Sequence, residues 1–245
     1  MSPRTAGGTG SGETVSTVGD CTAEQANTDR ECRLSATAQS LDAYWTAALP
    51  AVGTQYAQPG VVSFEDATAT ACGDATSGTG PFYCPPDQTV YLDLGFYDDL
   101  QTRFGASGGR LVEEYVLAHE FGHHIQQLTG VMDGADRTGT GPASDSVRIE
   151  LMADCLAGMW TGHAATTVDP DTGVTFLQPI TAAELADALS AASAVGDDRI
   201  QESSTGSVNP EAWTHGSSEQ RQRWFTAGYE GATFAACNAL EAAAL

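Results

Sequence analysis

Three side chains in one short stretch, His119, Glu120 and His123, have the types and spacing needed to hydrolyse a polar bond at a metal ion. They lie within LVEEYVLAHEFGHHIQQLTG, residues 111–130, where Leu111, Tyr115, Ala118, Ile125 and Leu128 recur near a helical period and Gly130 offers a stop. On a helix, residues four apart are rotated by only about 40° and stand roughly 6 Å apart. Both imidazoles can then reach one tetrahedral ion at about 2.0–2.1 Å each. Glu120 follows the first histidine, so its carboxylate points to the open side of that ion, where a general base for the attacking water must sit. Gly122 removes a side chain from the second turn and admits a close neighbour. The competing reading is a chance His-Glu-x-x-His on an ordinary core helix, for which five histidines in 245 residues leave little room.

A catalytic zinc takes three protein ligands and keeps one position open, so a further donor is required. The next strong helical pattern, RIELMADCLAGMW, carries Glu150 and Asp154 four residues apart on one face. Glu150 completes a His-His-Glu set. Asp154 is placed to accept a hydrogen bond from the ring N–H of a liganding histidine, which would fix its tautomer. The alternative is an acidic solvent face. Against it, both carboxylates sit among Ile149, Leu151, Met152, Ala153 and Leu156, and buried carboxylates need partners. His124 lies about 140° around the helix from His119 and reads as a packed residue outside the site. His163 reads as a helix-end residue, and Tyr83 and Tyr91 as packing aromatics or phenolic donors beside a cleft.

The elements that must position these groups follow from pattern and punctuation. A helix is expected from near Asp29, with Thr28 and Glu31 as a capping box, to about Leu49, burying Leu34, Ala38, Leu41, Trp45 and Ala48 before Pro50. Val61–Phe64 and Val90–Leu94 have strand composition and allow a small sheet, with Val90–Leu94 expected at its edge. A short helix over Phe96–Phe104 leads into the histidine helix. After a Gly-rich loop, the Glu150 helix should run from about Ser146 to His163, burying Val147, Leu151, Ala157 and Trp160. Thr181 and Glu184 form a capping box for a helix closed by Gly196, residues 200–210 read as loop, and Ser217 with Gln220 caps a last helix to about Leu240. The sum is about five helices and one small sheet: α+β, mainly helical, one domain over residues 21–245.

Residues 1–20, rich in Gly, Ser and Thr, read as a flexible linker. The formal net charge is −22, and all ten basic residues are arginines. Such a surface repels phosphate backbones, so nucleic acid is a poor partner. No apolar run approaches the ~20 residues of a membrane span. Six cysteines point to an oxidising, extracytoplasmic compartment, which leads us to expect an export signal or anchor upstream of Met1. Sequence proximity favours Cys21–Cys32 and Cys72–Cys84, leaving Cys155–Cys237. A straight helix would hold the first pair about 16 Å apart, so that segment must bend.

The order His119-Glu120-x-x-His123 and then Glu150-x-x-x-Asp154 resembles the arrangement of thermolysin-like zinc metallopeptidases, with glutamate as third ligand. The strings ACGDATSGTGPFYCPPDQTVYLDLGFYDDL, HEFGHHIQ, ELMADCLAGMW, ASAVGDDRIQ and THGSSEQRQRWF resemble, more closely and over roughly residues 30–237, the bacterial family called putative neutral zinc metallopeptidases. The resemblance implies a zincin-like, gluzincin-type fold, zinc as cofactor, a peptide or protein substrate, ligands at His119, His123 and Glu150, and a catalytic glutamate at Glu120. Thr214-His215-Gly216 with Arg221 is also similar to the late His…Arg motif of CAAX-prenyl-protease-type metallopeptidases, although Gly216 stands where proline usually follows. Amide hydrolysis needs a donor for the developing oxyanion besides the metal. His215 or Arg221 is a candidate for that donor. The alternatives are a helix-capping His215 and an Arg221 paired with a carboxylate. A non-catalytic zinc-stabilised binding or envelope module, and a hydrolase of non-peptide amides or esters, are the other functional readings. Glu120 separates out the binding module, which has no use for a carboxylate beside an open metal position.

Overall fold

The computed structural model describes the backbone of Ser16–Thr17 and residues 21–245; the rest of the expected linker over 1–20 lies outside the described residues. In chain order the elements are β1 (Ser16–Thr17), α1 (Ala23–Thr28), α2 (Arg30–Ala48), β2 (Gly60–Phe64), β3 (Ala67–Thr70), β4 (Gly73–Thr76), β5 (Phe82–Cys84) and β6 (Thr89–Asp93), followed by α3 (Phe96–Thr102), α4 (Arg110–Leu128), α5 (Asp145–Ala164), α6 (Ala182–Ala194), α7 (Asp197–Thr205), α8 (Ser218–Tyr229) and α9 (Phe234–Cys237). The architecture is mainly helical with a small sheet, compatible with the expected α+β class.

The first helix divides where a bend was required. Thr22 and Gln25 form a capping box for α1, and Asp29, in extended conformation, then caps α2 by accepting from the Cys32 N–H. Asp29 thus replaces the expected Thr28 cap, because its short carboxylate reaches that amide across the break. The bend brings Cys21 and Cys32 to a Cα separation of 5.4 Å, and the other two expected pairs, Cys72–Cys84 and Cys155–Cys237, also stand at disulfide distance.

The sheet runs in the order β1-β2-β6-β5, with β2 and β6 parallel and the outer pairs antiparallel. β6 is therefore central rather than the expected edge strand, and its Val90, Tyr91, Leu92 and Asp93 are all buried. Val90 and Leu92 face the helical core, while Tyr91 packs with Phe64, Ala75 and Cys84 on the other face. The edge beside β6 is β5, a strand of three residues in a segment that reads as loop for want of an alternating run.

Two more expectations are corrected. Residues 200–210 are largely helical: α7 starts at Gly196 with Asp197 and Asp198 in its first turn and ends at Gly206 with φ 73°. Acidic residues suit a helix N-terminus, and Ile200 is too solitary an apolar residue to give a periodic signal. The last helix stops at Tyr229, short of Leu240, because Gly231 takes φ 101° and Thr233 caps the separate α9. Gly196 closes α6 as expected, donating its N–H to the Ser193 carbonyl at 3.1 Å, and also stands at the start of α7.

α5 and α8 approach through glycine. A Cβ on Gly228 would overlap the Cys155 carbonyl oxygen and stand 2.9 Å from the Met159 nitrogen. Gly→Ala inside a helix ordinarily stabilises by about 1 kcal/mol. Here the backbones must separate instead. Gly228→Ala should cost about 3 kcal/mol and lower the thermal midpoint by roughly 6–12 °C, readable by calorimetry. An unchanged or raised midpoint would refute the close approach.

Candidate metal centre

The site forms between α4 and α5, whose separation is set by Gly122. A Cβ there would stand 2.9 Å from Ala153 Cα and 2.9 Å from its carbonyl oxygen, so α5 is the close neighbour that the missing side chain admits. At this distance His119 Nε2 lies 3.2 Å from Glu150 Oε2, and His123 Nε2 lies 3.5 Å from Glu150 Oε1. One donor atom from each residue lies within 4.8 Å of the others. Donors 2.0–2.1 Å from a tetrahedral ion stand roughly 3.4 Å apart. Two imidazoles and a carboxylate at these separations fit a zinc-sized ion.

Hydrogen bonds fix both imidazoles in the tautomer that a metal needs. His119 Nδ1 lies 2.9 Å from Asp154 Oδ1, and a carboxylate only accepts, so Nδ1 carries a proton and Nε2, which faces Glu150, is the atom left for a metal. Gln126 does the same for His123. Its Nε2 donates to the Ile149 carbonyl at 2.7 Å, which leaves Oε1 to accept from His123 Nδ1 at 3.0 Å. Gln126 is fully buried and escaped the sequence reading, where it looks like any polar residue three positions after a histidine.

Asp154 is held in turn. Its two oxygens accept from Arg221 Nε and Nη2 at 2.7 and 2.9 Å, and Oδ1 also accepts from the Tyr115 hydroxyl at 2.5 Å. Burial alone would raise the Asp154 carboxyl, yet Arg221 and His119 hold it below the ordinary carboxylate range. Burial would likewise raise Glu150, but His123 and His119 hold it well below that range. His119 shows the reciprocal balance. Burial pushes its pKa down, while Asp154 and Glu150 lift it to about 10.

His124 lies outside this set, as its angle on the helix requires. It contacts the Tyr83 hydroxyl at 2.9 Å through Nδ1 and donates to the Ala57 carbonyl at 2.6 Å through Nε2. His163 is exposed and bonds back to the Met159 carbonyl at 2.8 Å. Tyr91 packs on Phe82 and donates to Asp87 at 2.9 Å.

The set of His119, His123 and Glu150 opens into a cleft of about 640 Å³, also lined by Glu120, Phe82, Tyr83, Phe96, Arg137, His215 and Arg221. Glu120 is 7 % exposed, and burial pushes its carboxyl above the ordinary value against the pull of His123 and His119. His215 comes to the same cleft from the turn before α8, whose Ser217–Gln220 capping box is present. Its anchor is Asp197. One oxygen of Asp197 accepts the backbone N–H groups of Thr214, His215 and Gly216 at 2.8, 2.7 and 3.0 Å, and the other lies 3.2 Å from His215 Nδ1. That Asp197 bond is the main reason the His215 pKa is raised. Asp197 lies in the ASAVGDDRIQ string, but nothing local in the sequence ties it to His215.

The model of the family described as "Putative neutral zinc metallopeptidase" matches residues 5–240. The chain belongs to this family. The match to the zinc metallopeptidase model extends past residues 30–237 at both ends and includes most of the segment expected to be a linker. Among its relatives, uncharacterized protein Rv2575 of Mycobacterium tuberculosis is 48 % identical over 224 residues, 91 % of this chain and 75 % of that protein. Uncharacterized protein YpfJ of Escherichia coli K12 is 42 % identical over 199 residues, 79 % of this chain and 66 % of that protein. No solved structure matches the chain.

Proposed function

We propose that the chain is a zinc-dependent endopeptidase of zincin-like fold, in which His119, His123 and Glu150 hold the ion and Glu120 is the general base. The observation supporting this most directly is the convergence of two correctly tautomerised Nε2 atoms and one carboxylate beside a cleft that Glu120 also lines. A zinc ion held there would acidify a water and polarise the scissile carbonyl. Glu120 takes a proton from the attacking water onto its carboxylate and gives it to the departing amine. A carboxyl raised by burial suits this exchange, since it holds a proton more readily than an exposed one.

His215 is the donor for the developing oxyanion in this reading. Asp197 fixes its loop, accepts from Nδ1–H and favours the imidazolium form, in which Nε2 also carries a hydrogen for the substrate. Arg221 directs its donors to Asp154, the Val195 carbonyl and Tyr115. We therefore assign it to positioning Asp154, and through it His119, rather than to contact with substrate. An extended peptide adds to the edge strand β5, whose Phe82 and Tyr83 line the cleft, in place of the central β6. Three disulfides accord with an oxidising, extracytoplasmic setting. Among the described residues no helix is long and apolar enough to cross a membrane.

The test is cleavage of an unfolded protein before and after chelation, with elemental analysis of the same preparation. One zinc per chain and activity lost to chelator and restored by zinc are expected; zinc-replete protein that cleaves nothing would sink the proposal. His215→Ala should lower kcat by roughly 10²–10³ with zinc content unchanged. A variant that is less stable but fully active would remove His215 from the mechanism.

A further inference from the structure

Two arginines line the cleft among the described residues, and they are in opposite electrostatic states. Arg221 is buried and neutralised by Asp154. Arg137 is exposed, and no ion pair or hydrogen bond of its side chain occurs among the described residues. Arg199 and Arg223 are likewise exposed and without such a partner among the described residues, but of these three only Arg137 lines the cleft.

The loop that presents Arg137 is tied down on both sides of it. The Asp136 N–H donates to Asp145 Oδ2 at 2.9 Å, and Asp136 Oδ1 accepts from the Thr138 backbone and hydroxyl at 3.0 and 2.7 Å. Further along, the Gly139 carbonyl accepts from Ser146, and the Gly141 N–H donates to the Trp213 carbonyl at 2.8 Å. The nearest acid in sequence is thus committed to its own turn, and the guanidinium is carried on a fixed backbone into the cleft.

We infer that Arg137 selects peptides by a carboxylate, binding an acidic side chain or the free C-terminus of the substrate. The inference rests on the peptidase reading and adds a substrate class to it. A guanidinium presents a planar fork of donors that matches a carboxylate with two parallel hydrogen bonds. The net charge of −22 repels acidic peptides as a whole. That repulsion is screened beyond about 8 Å at physiological salt, whereas a contact at Arg137 is local. A preference for carboxylates would therefore run against the global charge and cannot be produced by it.

The experiment uses a chymotryptic peptide mixture from a denatured protein extract, half of it methyl-esterified so that every carboxylate is blocked. Each half is passed over zinc-loaded, immobilised Glu120→Gln protein and over the same protein carrying Arg137→Glu or Arg137→Gln. Retained peptides are quantified by mass spectrometry. Free acids should be retained about fivefold to 100-fold over their esters, with the difference lost in both Arg137 variants. Synthetic acidic peptides with an amidated C-terminus then separate the two sources: retention assigns the side chain, and loss assigns the terminus. No preference for free acids, or a preference unchanged in the Arg137 variants, would overturn the inference. Failure of zinc-loaded wild-type protein to cut any peptide of the mixture would count against the peptidase reading alone, because the retention comparison does not depend on turnover.

Discussion

Glu120→Gln should retain zinc and fold but lose roughly 10²–10⁴ in kcat, the usual contribution of a general acid–base group. The amide keeps the size of the side chain and its place in the cleft, and removes only the ability to accept a proton. It lies outside the set formed by His119, His123 and Glu150, so metal content should not change. Stability should not fall either, since the buried carboxyl resists ionisation and the amide has no charge to desolvate. Metal content by elemental analysis, the thermal midpoint and turnover on one preparation separate the possibilities. Loss of zinc with turnover would make Glu120 a ligand, and full activity would end the mechanism. A binding module that uses zinc only as a staple predicts no functional change at all.

What the sequence discloses depends on how local the physics is. The pairs His119–His123 and Glu150–Asp154 are each set by one turn of helix, so spacing alone puts each pair on one face. Capping boxes at Thr181 and Ser217 are legible for the same reason, being completed within three residues. Gln126 needs the Ile149 carbonyl of another helix, and Asp197 reaches His215 across 18 residues; neither has a local signature. The sheet follows the same rule. Val61–Phe64 and Val90–Leu94 show strand composition, but their parallel pairing and the addition of β5 are decided by tertiary packing. Strand composition by itself does not say which strand is the edge, and the edge beside β6 is β5. The short helix α7, with one isolated apolar residue, has no periodic signature for the same reason.

Glu150→Ala should weaken zinc binding by more than the 10–100-fold typical of removing a partner hydrogen-bonded to a ligand, because it deletes a donor atom itself. Glu150 is the only carboxylate in the set and would supply the negative charge opposite the positive ion. Its separations of 3.2 and 3.5 Å from the two Nε2 atoms come from α5, so the second helix, not the His-Glu-x-x-His helix, completes the site. Asp154→Asn is the informative comparison. It leaves all three donors in place but withdraws charge from the partner of His119 and from the bonds to Arg221. Its loss should stay within the 10–100-fold range, and the two effects should be ordered Glu150→Ala well above Asp154→Asn. A competition titration against a chromogenic chelator measures both. If Glu150→Ala retains zinc as tightly as the parent, the third ligand is some other group, and the assignment of α5 to the metal fails with it.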